Sequence, residues 1–212
     1  LDRSGSMASD SLHPPQPLSD AKQAAARFVD RLSASDQAAY VSFATTASRP
    51  MDQPLTNDVL RLKNAIDRTV IGANGIQYTN IGDVISGAID ELETFRSNEN
   101  ARPFIVLLTD GIPTRPEDPN DLLNKNYPAL YARQLADRAK AGGVDIYTIG
   151  LGDEVNGDFL VEIATSPEYY YKAVSGADLR AIYQQIATAI CKKGPSVIEI
   201  IPRVSITAFS TQ

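Results

Sequence analysis

Apolar residues along this chain recur in two alternating patterns, one with helical spacing and one extended. The helical spacing predicts helices over residues 20–32, 57–70, 81–95, 129–141, 159–164 and 177–190. The extended runs predict strands over residues 39–47, 104–109, 144–150 and 169–173, with a shorter extended piece over 49–55. This alternation is typical of an α/β protein with a doubly wound, mostly parallel sheet.

Two of the predicted strands indicate how the sheet is arranged. The run from Phe104 to Thr109 is continuously apolar, which favours a central strand covered by helices on both faces. The piece over 49–55 contains Pro50 and Pro54, which suit only an edge position. We therefore expect one antiparallel strand at an edge of the parallel sheet.

The second helix and the first strand carry more detailed expectations. Asn57 is expected to cap the second helix, with Leu60, Leu62 and Ile66 facing inward. A doubly wound sheet normally has a buried strand before its first loop, but only Leu1 precedes that loop here. The first strand is therefore expected to be largely absent from this chain.

The length of the chain suits a single domain. Its 212 residues are 43% hydrophobic, which is enough to bury a full core. We expect the domain to cover residues 1–191 and residues 192–212 to form a linker or the start of a β-rich domain. No apolar run approaches the ~20 residues of a membrane helix. The chain opens in mid-pattern, so it is expected to belong to a larger multidomain protein.

Charge and the scarcity of two residue types exclude several functions. The formal net charge is −6 and no basic stretch follows a helix face, so nucleic acid is not expected as a partner. The single cysteine and the single histidine exclude an internal disulfide and a Cys/His zinc cage. Cys191 is either an unreactive residue near a helix end or the disulfide partner of a cysteine outside this chain.

The opening residues carry the first candidate chemistry. Asp2, Ser4 and Ser6 alternate, so three oxygen-bearing side chains can converge from one tight loop in which Gly5 eases the turn. Carboxylate and hydroxyl oxygens are hard ligands, suited to Mg²⁺ or Mn²⁺ rather than zinc. Helix capping alone would also explain Ser4 or Ser6.

Two later segments favour the interpretation of that motif as part of a metal site. Thr79 lies in a loop just before a helix, and Asp110 follows the apolar strand that ends at Thr109. In an open α/β sheet, the loops at the carboxyl ends of the strands share one edge, where ligands bind. Both side chains can therefore reach the same edge as the opening motif.

Together these motifs resemble the von Willebrand factor A family over nearly the whole chain. The Asp-x-Ser-x-Ser opening, the threonine loop and the Thr-Asp-Gly sequence are similar to that family's metal ion-dependent adhesion site (MIDAS). The resemblance implies a Rossmann-like fold and a six-coordinate divalent cation, Mg²⁺ with Mn²⁺ or Ca²⁺ as alternatives. It also implies that an Asp or Glu side chain of a protein partner completes the coordination. The metal ligands that it implies are Asp2, Ser4, Ser6, Thr79 and Asp110.

The resemblance implies an adhesion module, not an enzyme, that is secreted or on the cell surface. One alternative is a cytoplasmic adaptor of an AAA+ or chelatase-type complex. Another is a metal-dependent hydrolase, which needs a general base in a chain with only one histidine. Four residues in loops beside the metal motifs are candidates for a ligand-binding rim, although ordinary loop residues would look the same. They are His13, Arg115, Asp118 and Tyr127.

Overall fold

A computed structural model of the chain describes residues 1–8, 16–72, 77–153 and 155–192. The helices are α1 (Gln16–Val29), α2 (Val59–Asp67), α3 (Ile81–Leu92), α4 (Tyr127–Ala141), α5 (Gly157–Ile163) and α6 (Gly176–Lys192). The strands are β1 (Ala38–Tyr40), β2 (Gln53–Thr56), β3 (Phe104–Thr109), β4 (Asp145–Leu151) and β5 (Tyr170–Ala173). His13, the side chain of Cys191 and residues 193–212 lie outside the described residues.

The strands form a parallel set and an antiparallel pair. β3, β4 and β5 are parallel neighbours in that order, with Phe104 opposite Asp145 and Thr148 opposite Tyr170. β1 and β2 pair antiparallel. This arrangement confirms the predicted α/β class with a mostly parallel sheet, and the expected antiparallel edge strand is β2, which pairs with β1.

The segment from Leu1 to Arg3 connects these two sets of strands. The backbone N–H of Asp2 donates to the carbonyl of Leu108 in β3 at 3.0 Å. On its other side, Arg3 N–H donates to the carbonyl of Phe43 at 2.9 Å, and Phe43 N–H donates to Leu1. Asp2 therefore lies between β3 and the segment around Phe43, beside the end of β3, where the sequence placed the end of a first strand.

Helices cover both faces of the sheet. One buried cluster contains Leu18 from α1, Leu62 from α2 and Leu179 from α6. The other contains residues of α3, α4 and α5. Neighbouring residues of β3 divide between them, with Leu108 in the first cluster and Leu107 in the second. The sheet is therefore doubly wound, as the continuous apolar run of β3 predicted.

The second helix differs from its prediction in two ways. Asp58, not Asn57, is the capping residue, and its side chain accepts hydrogen bonds from the N–H groups of Leu60 and Arg61. Leu62 is buried as expected, but Leu60 is 68% exposed. Residues two apart on a helix lie about 200° apart around its axis, so these two leucines cannot share one inward face.

The predicted strand over 39–47 is shorter in the structure. Regular pairing ends at Tyr40, although Phe43 forms isolated bridges to Asp2 and Ala47. Side-chain and turn hydrogen bonds replace the ladder after Tyr40. Ser42 N–H donates to the Asp52 carboxylate at 2.6 Å, and Ser48 N–H donates to the Ser42 carbonyl at 2.9 Å. Throughout the described ranges, no helix has the length and apolar character needed to cross a membrane.

Candidate functional site

Three separate parts of the chain meet where β3 ends. Residues 1–3 lie beside β3 and lead into a short 3-10 turn, Gly5–Ala8. β3 itself ends at Thr109, so Asp110 immediately follows its carboxyl end. Thr79 precedes α3, whose first turn is capped by the Asn80 side chain, which accepts a hydrogen bond from Asp83 N–H. Sheet pairing and helix capping thus position the three loops independently of any ligand.

Hydrogen bonds join two of these segments, the opening loop and the end of β3. The fully buried Asp2 carboxylate accepts from Ser4 N–H at 2.8 Å and from the Thr109 hydroxyl at 2.6 Å. The Ser4 and Ser6 hydroxyl oxygens lie 3.0 Å apart. The Ser6 hydroxyl donates its only proton to Asp110 Oδ1 at 2.8 Å. In the contact between the two serines, Ser4 is therefore the donor and Ser6 the acceptor. Ser6 is exposed, which places the solvent side of the cluster at this residue.

The third segment brings Thr79 to the same place. Thr79 is buried, and its N–H donates to the Thr114 hydroxyl at 2.9 Å. A methyl group at Gly111 would lie 3.6 Å from the Thr79 hydroxyl oxygen and 3.8 Å from that of Ser6. These two hydroxyls therefore face the same small space above Gly111. All five predicted ligands come together at one edge of the sheet.

Burial and mutual repulsion disfavour the charged forms of the two carboxyl groups. Burial raises the pKa of Asp2, although hydrogen bonds from Thr109 and Ser4 act in the opposite direction. Burial also raises the pKa of Asp110 to about 6, and the nearby Asp2 charge adds to the increase. A positive charge between these carboxylates would offset both effects.

The donor set fits a hard divalent cation. In the described part of the chain, no cluster of three or more His, Cys, Asp or Glu side chains could hold a metal. Any metal site there must therefore draw ligands from other oxygen groups as well, and two carboxylates with three hydroxyls would be such a set. Such oxygen-only sets suit Mg²⁺, Mn²⁺ or Ca²⁺ better than zinc, which favours nitrogen and sulfur.

The described rim candidates occupy different environments. Arg115 lies beside the cluster, since its N–H donates to the Thr79 carbonyl at 3.1 Å. Asp118 is buried and accepts hydrogen bonds from Asn120 N–H and the Asn124 side chain, which hold the pKa of its carboxyl below the usual range. It organises its own loop. Tyr127 begins α4 and stacks on Tyr131, with 6.1 Å between ring centroids.

Two residues at the site were not assigned a role from the sequence. Thr109 supports the Asp2 carboxylate, and the one available signal was a polar residue at the end of an otherwise apolar strand. Tyr78 is 46% exposed, and the Arg115 guanidinium lies 3.7 Å from its ring centroid. Nothing in the sequence indicated that contact, because the two residues are far apart along the chain.

The fold and the site define an α/β domain with a cluster of oxygen-bearing side chains at the carboxyl edge of its sheet. A model of the von Willebrand factor type A domain matches residues 1–185. The chain belongs to this family, as the sequence motifs predicted.

Similar proteins come from several sources. A UPF0353 protein of Nocardia farcinica is 31% identical over 204 residues, and the match covers 84% of this chain and 58% of that protein. Proximal thread matrix protein 1 of the mussel byssus, solved with a zinc-occupied MIDAS motif, is 26% identical with a TM-score of 0.69, covering 90% of this chain and 44% of that chain. The pilus tip protein Mfa5 of Porphyromonas gingivalis has a TM-score of 0.73 at 17% identity, covering 98% and 96% of the two chains, and shows the shared fold alone.

Proposed function

We propose that the chain is a metal-dependent protein-binding module whose cation accepts an Asp or Glu side chain from a partner protein. One observation carries the proposal. Side-chain oxygens from three separate segments meet at one solvent-facing edge of the sheet, where the Asp2 carboxylate accepts from Thr109 and the Ser4 backbone, and the Ser4 and Ser6 hydroxyls lead to Asp110. Helix capping alone would not require this convergence.

The residues of the cluster divide into charged and neutral ligands. Asp2 and Asp110 supply the anionic oxygens, and Ser4, Ser6 and Thr79 supply neutral hydroxyl oxygens. A bound cation supplies a Lewis-acidic point of attachment for a carboxylate. Only two of the five proposed ligands are anionic, so the protein balances but does not exceed the charge of a divalent cation, and a further anionic oxygen can still bind it.

Mg²⁺ is the proposed cation, with Mn²⁺ and Ca²⁺ as alternatives. The support is the oxygen-only donor set, which matches hard cations. Zinc occupies the MIDAS motif of the mussel byssus protein. A competition between Mg²⁺ and Zn²⁺ would show which of them this chain prefers.

We further propose that the module works outside the cell as a binder and not as an enzyme. The support is the similarity, at 26% identity, to a matrix protein of the mussel byssus. Labelling of intact cells with an antibody against this domain tests the location. A signal that appears only after the cells are permeabilised would contradict it.

Thermal unfolding tests the cation site. Mg²⁺ at about 100 times its dissociation constant should stabilise the folded wild-type chain by about 2.7 kcal/mol. Asp110→Asn should remove this stabilisation and Ser6→Ala should weaken it, because each change removes or weakens an oxygen ligand. Asp137→Asn is the control, since this carboxylate is exposed on α4 and pairs with Lys140. Equal Mg²⁺ stabilisation of wild type and Asp110→Asn would contradict the assignment.

The same chain tests the proposed ligand class. A short blocked peptide with one Asp should bind in Mg²⁺, and EDTA should release it. The matching Asn peptide should not bind, because a neutral amide oxygen is a poorer ligand for a hard cation than a carboxylate. Binding of the Asp peptide that is unchanged by EDTA would show that recognition takes place on another face.

A further inference from the structure

A fixed arginine lies directly beside the proposed cation site. Two backbone N–H groups, of Thr114 and Arg115, donate to the carbonyl of Thr79 at 2.8 and 3.1 Å. Thr79 N–H donates in return to the Thr114 hydroxyl at 2.9 Å. These three hydrogen bonds hold the backbone of Arg115 against the loop that carries a proposed metal ligand.

The side chain of Arg115 is also held in place. Its guanidinium lies 3.7 Å from the centroid of the Tyr78 ring, within the range of a cation–π contact. Tyr78 immediately precedes Thr79, and consecutive Cα atoms are about 3.8 Å apart. The guanidinium is therefore held against the loop that carries a proposed metal ligand, and because it is already held, a ligand that binds it loses little conformational entropy.

The guanidinium keeps hydrogen-bonding capacity for a ligand. It has five N–H donors. One nitrogen, Nη1, donates to the Thr114 carbonyl at 3.0 Å, and Nη2 lies 3.4 Å from a Glu117 carboxylate oxygen. The Glu117 side chain is 58% exposed, so this ion pair contributes little and can give way to a better-placed anion.

We infer that Arg115 is a specificity-determining residue that binds a second carboxylate of the partner. This inference rests on the proposed function, in which a first carboxylate binds the cation. The planar guanidinium fork matches a carboxylate in a bidentate geometry. The partner is therefore an acidic protein segment with two closely spaced carboxylates, of which the cation takes one and Arg115 the other.

Three blocked peptides test this preference with the 212-residue chain in saturating Mg²⁺. One contains Asp-Gly-Asp, and the other two replace either Asp with Asn. Two acidic residues separated by one residue on an extended peptide point to the same side and are about 7 Å apart. The wild type should bind the diacid about four- to tenfold more tightly than either monoacid. A twofold preference for the diacid is expected on statistical grounds alone, because either of its Asp side chains could bind the cation.

Variants of Arg115 separate ligand binding from a structural role. Arg115→Gln should reduce the diacid preference to about the statistical twofold, because diacid binding weakens more than monoacid binding, and Mg²⁺ stabilisation should stay at the wild-type level, because Arg115 is not a proposed metal ligand. Arg115→Lys should keep part of the preference, because it keeps the charge but loses the fork. Arg133→Gln is the matched control, since the Arg133 guanidinium also lies over an aromatic ring, that of Phe159, but pairs with Glu162 on α5.

A nuclear magnetic resonance titration adds a direct readout. The Nε–Hε signal of Arg115 should shift with the diacid and stay in place with the monoacids. A diacid preference that survives in Arg115→Gln, or a loss of Mg²⁺ stabilisation in that variant, would overturn the role of Arg115. A wild-type chain that gains no stability from Mg²⁺ would instead refute the metal-dependent function, and the role of Arg115 with it.

Discussion

Thr109 supports the proposed metal site without being one of its ligands, and Thr109→Val tests that role. The side chain is fully buried at the end of β3. Its hydroxyl donates to Asp2 Oδ2 at 2.6 Å and accepts from Gly111 N–H at 3.2 Å. Valine has nearly the same shape but neither donates nor accepts hydrogen bonds, so the substitution removes both contacts and leaves little cavity.

The loss of stability follows from these two contacts. A hydrogen bond to a charged group contributes about 1.5–3 kcal/mol, and a buried carboxylate that loses its donor bears most of that cost. The longer bond from Gly111 adds a smaller amount. We expect Thr109→Val to lower the free energy of unfolding by about 2–3 kcal/mol, which in a domain of this size lowers the melting temperature by roughly 4–12 °C. Mg²⁺ affinity should fall about 10- to 100-fold, because Asp2 loses the group that orients it.

Unfolding in EDTA and Mg²⁺ titration calorimetry measure the two effects separately. Thr148→Val is the matched control, because Thr148 is also fully buried, on the neighbouring strand, and its hydroxyl donates to the neutral Leu160 carbonyl at 3.0 Å. The control should cost about 0.5–1.5 kcal/mol and leave Mg²⁺ affinity unchanged. Equal losses of Mg²⁺ affinity in both variants, or none in either, would refute the role of Thr109.

Two further predictions concern the stability of the fold. Glu91 accepts two hydrogen bonds from Arg96 and one from Leu55 N–H, and the Arg96 contact lowers the pKa of its carboxyl. Glu91→Gln should therefore lower the free energy of unfolding by about 1.5–3 kcal/mol at pH 7. In urea unfolding, this difference from wild type should disappear as the pH falls below about 4, through the lowered pKa of Glu91, because the wild-type carboxyl then loses its charge. A difference that does not change with pH would contradict this. Leu62→Ala should cost about 2–5 kcal/mol and Leu60→Ala less than about 0.5 kcal/mol, because the first side chain is buried and the second is exposed; similar losses would show that both leucines face the core.

The sequence predicted the fold well where one pattern dominated. The six-residue strand β3 was located at both ends, because its first five residues are all apolar, as expected of a strand covered by helices on both faces. The sequence was less informative for residues 39–47, where alternating apolar and polar residues predicted a longer strand than the structure has. There the Asp52 carboxylate takes the Ser42 N–H, and pairing with residues 1–3 replaces a regular ladder. Those long-range partners leave no local signal.

The candidate site shows the same division. Its five predicted ligands carry a signal in their spacing and in their positions at the ends of strands or before a helix. Supporting residues carry almost none, since Thr109 acts on a carboxylate that is 107 positions away in the sequence. The stacking of Arg115 on Tyr78 likewise depends on how two loops meet in the folded chain.

Anomalous X-ray scattering from crystals grown with Mn²⁺ tests the central claim most directly. Mn²⁺ is a hard cation that suits the same oxygen ligands as Mg²⁺ and scatters anomalously. The expected result is one strong peak within coordination distance of Ser4, Ser6 and Thr79 oxygens, beside Asp2 and Asp110, which disappears in Asp110→Asn crystals grown in the same way. A peak elsewhere on the surface, or none at the edge of the sheet, would contradict the claim that this cluster holds a cation.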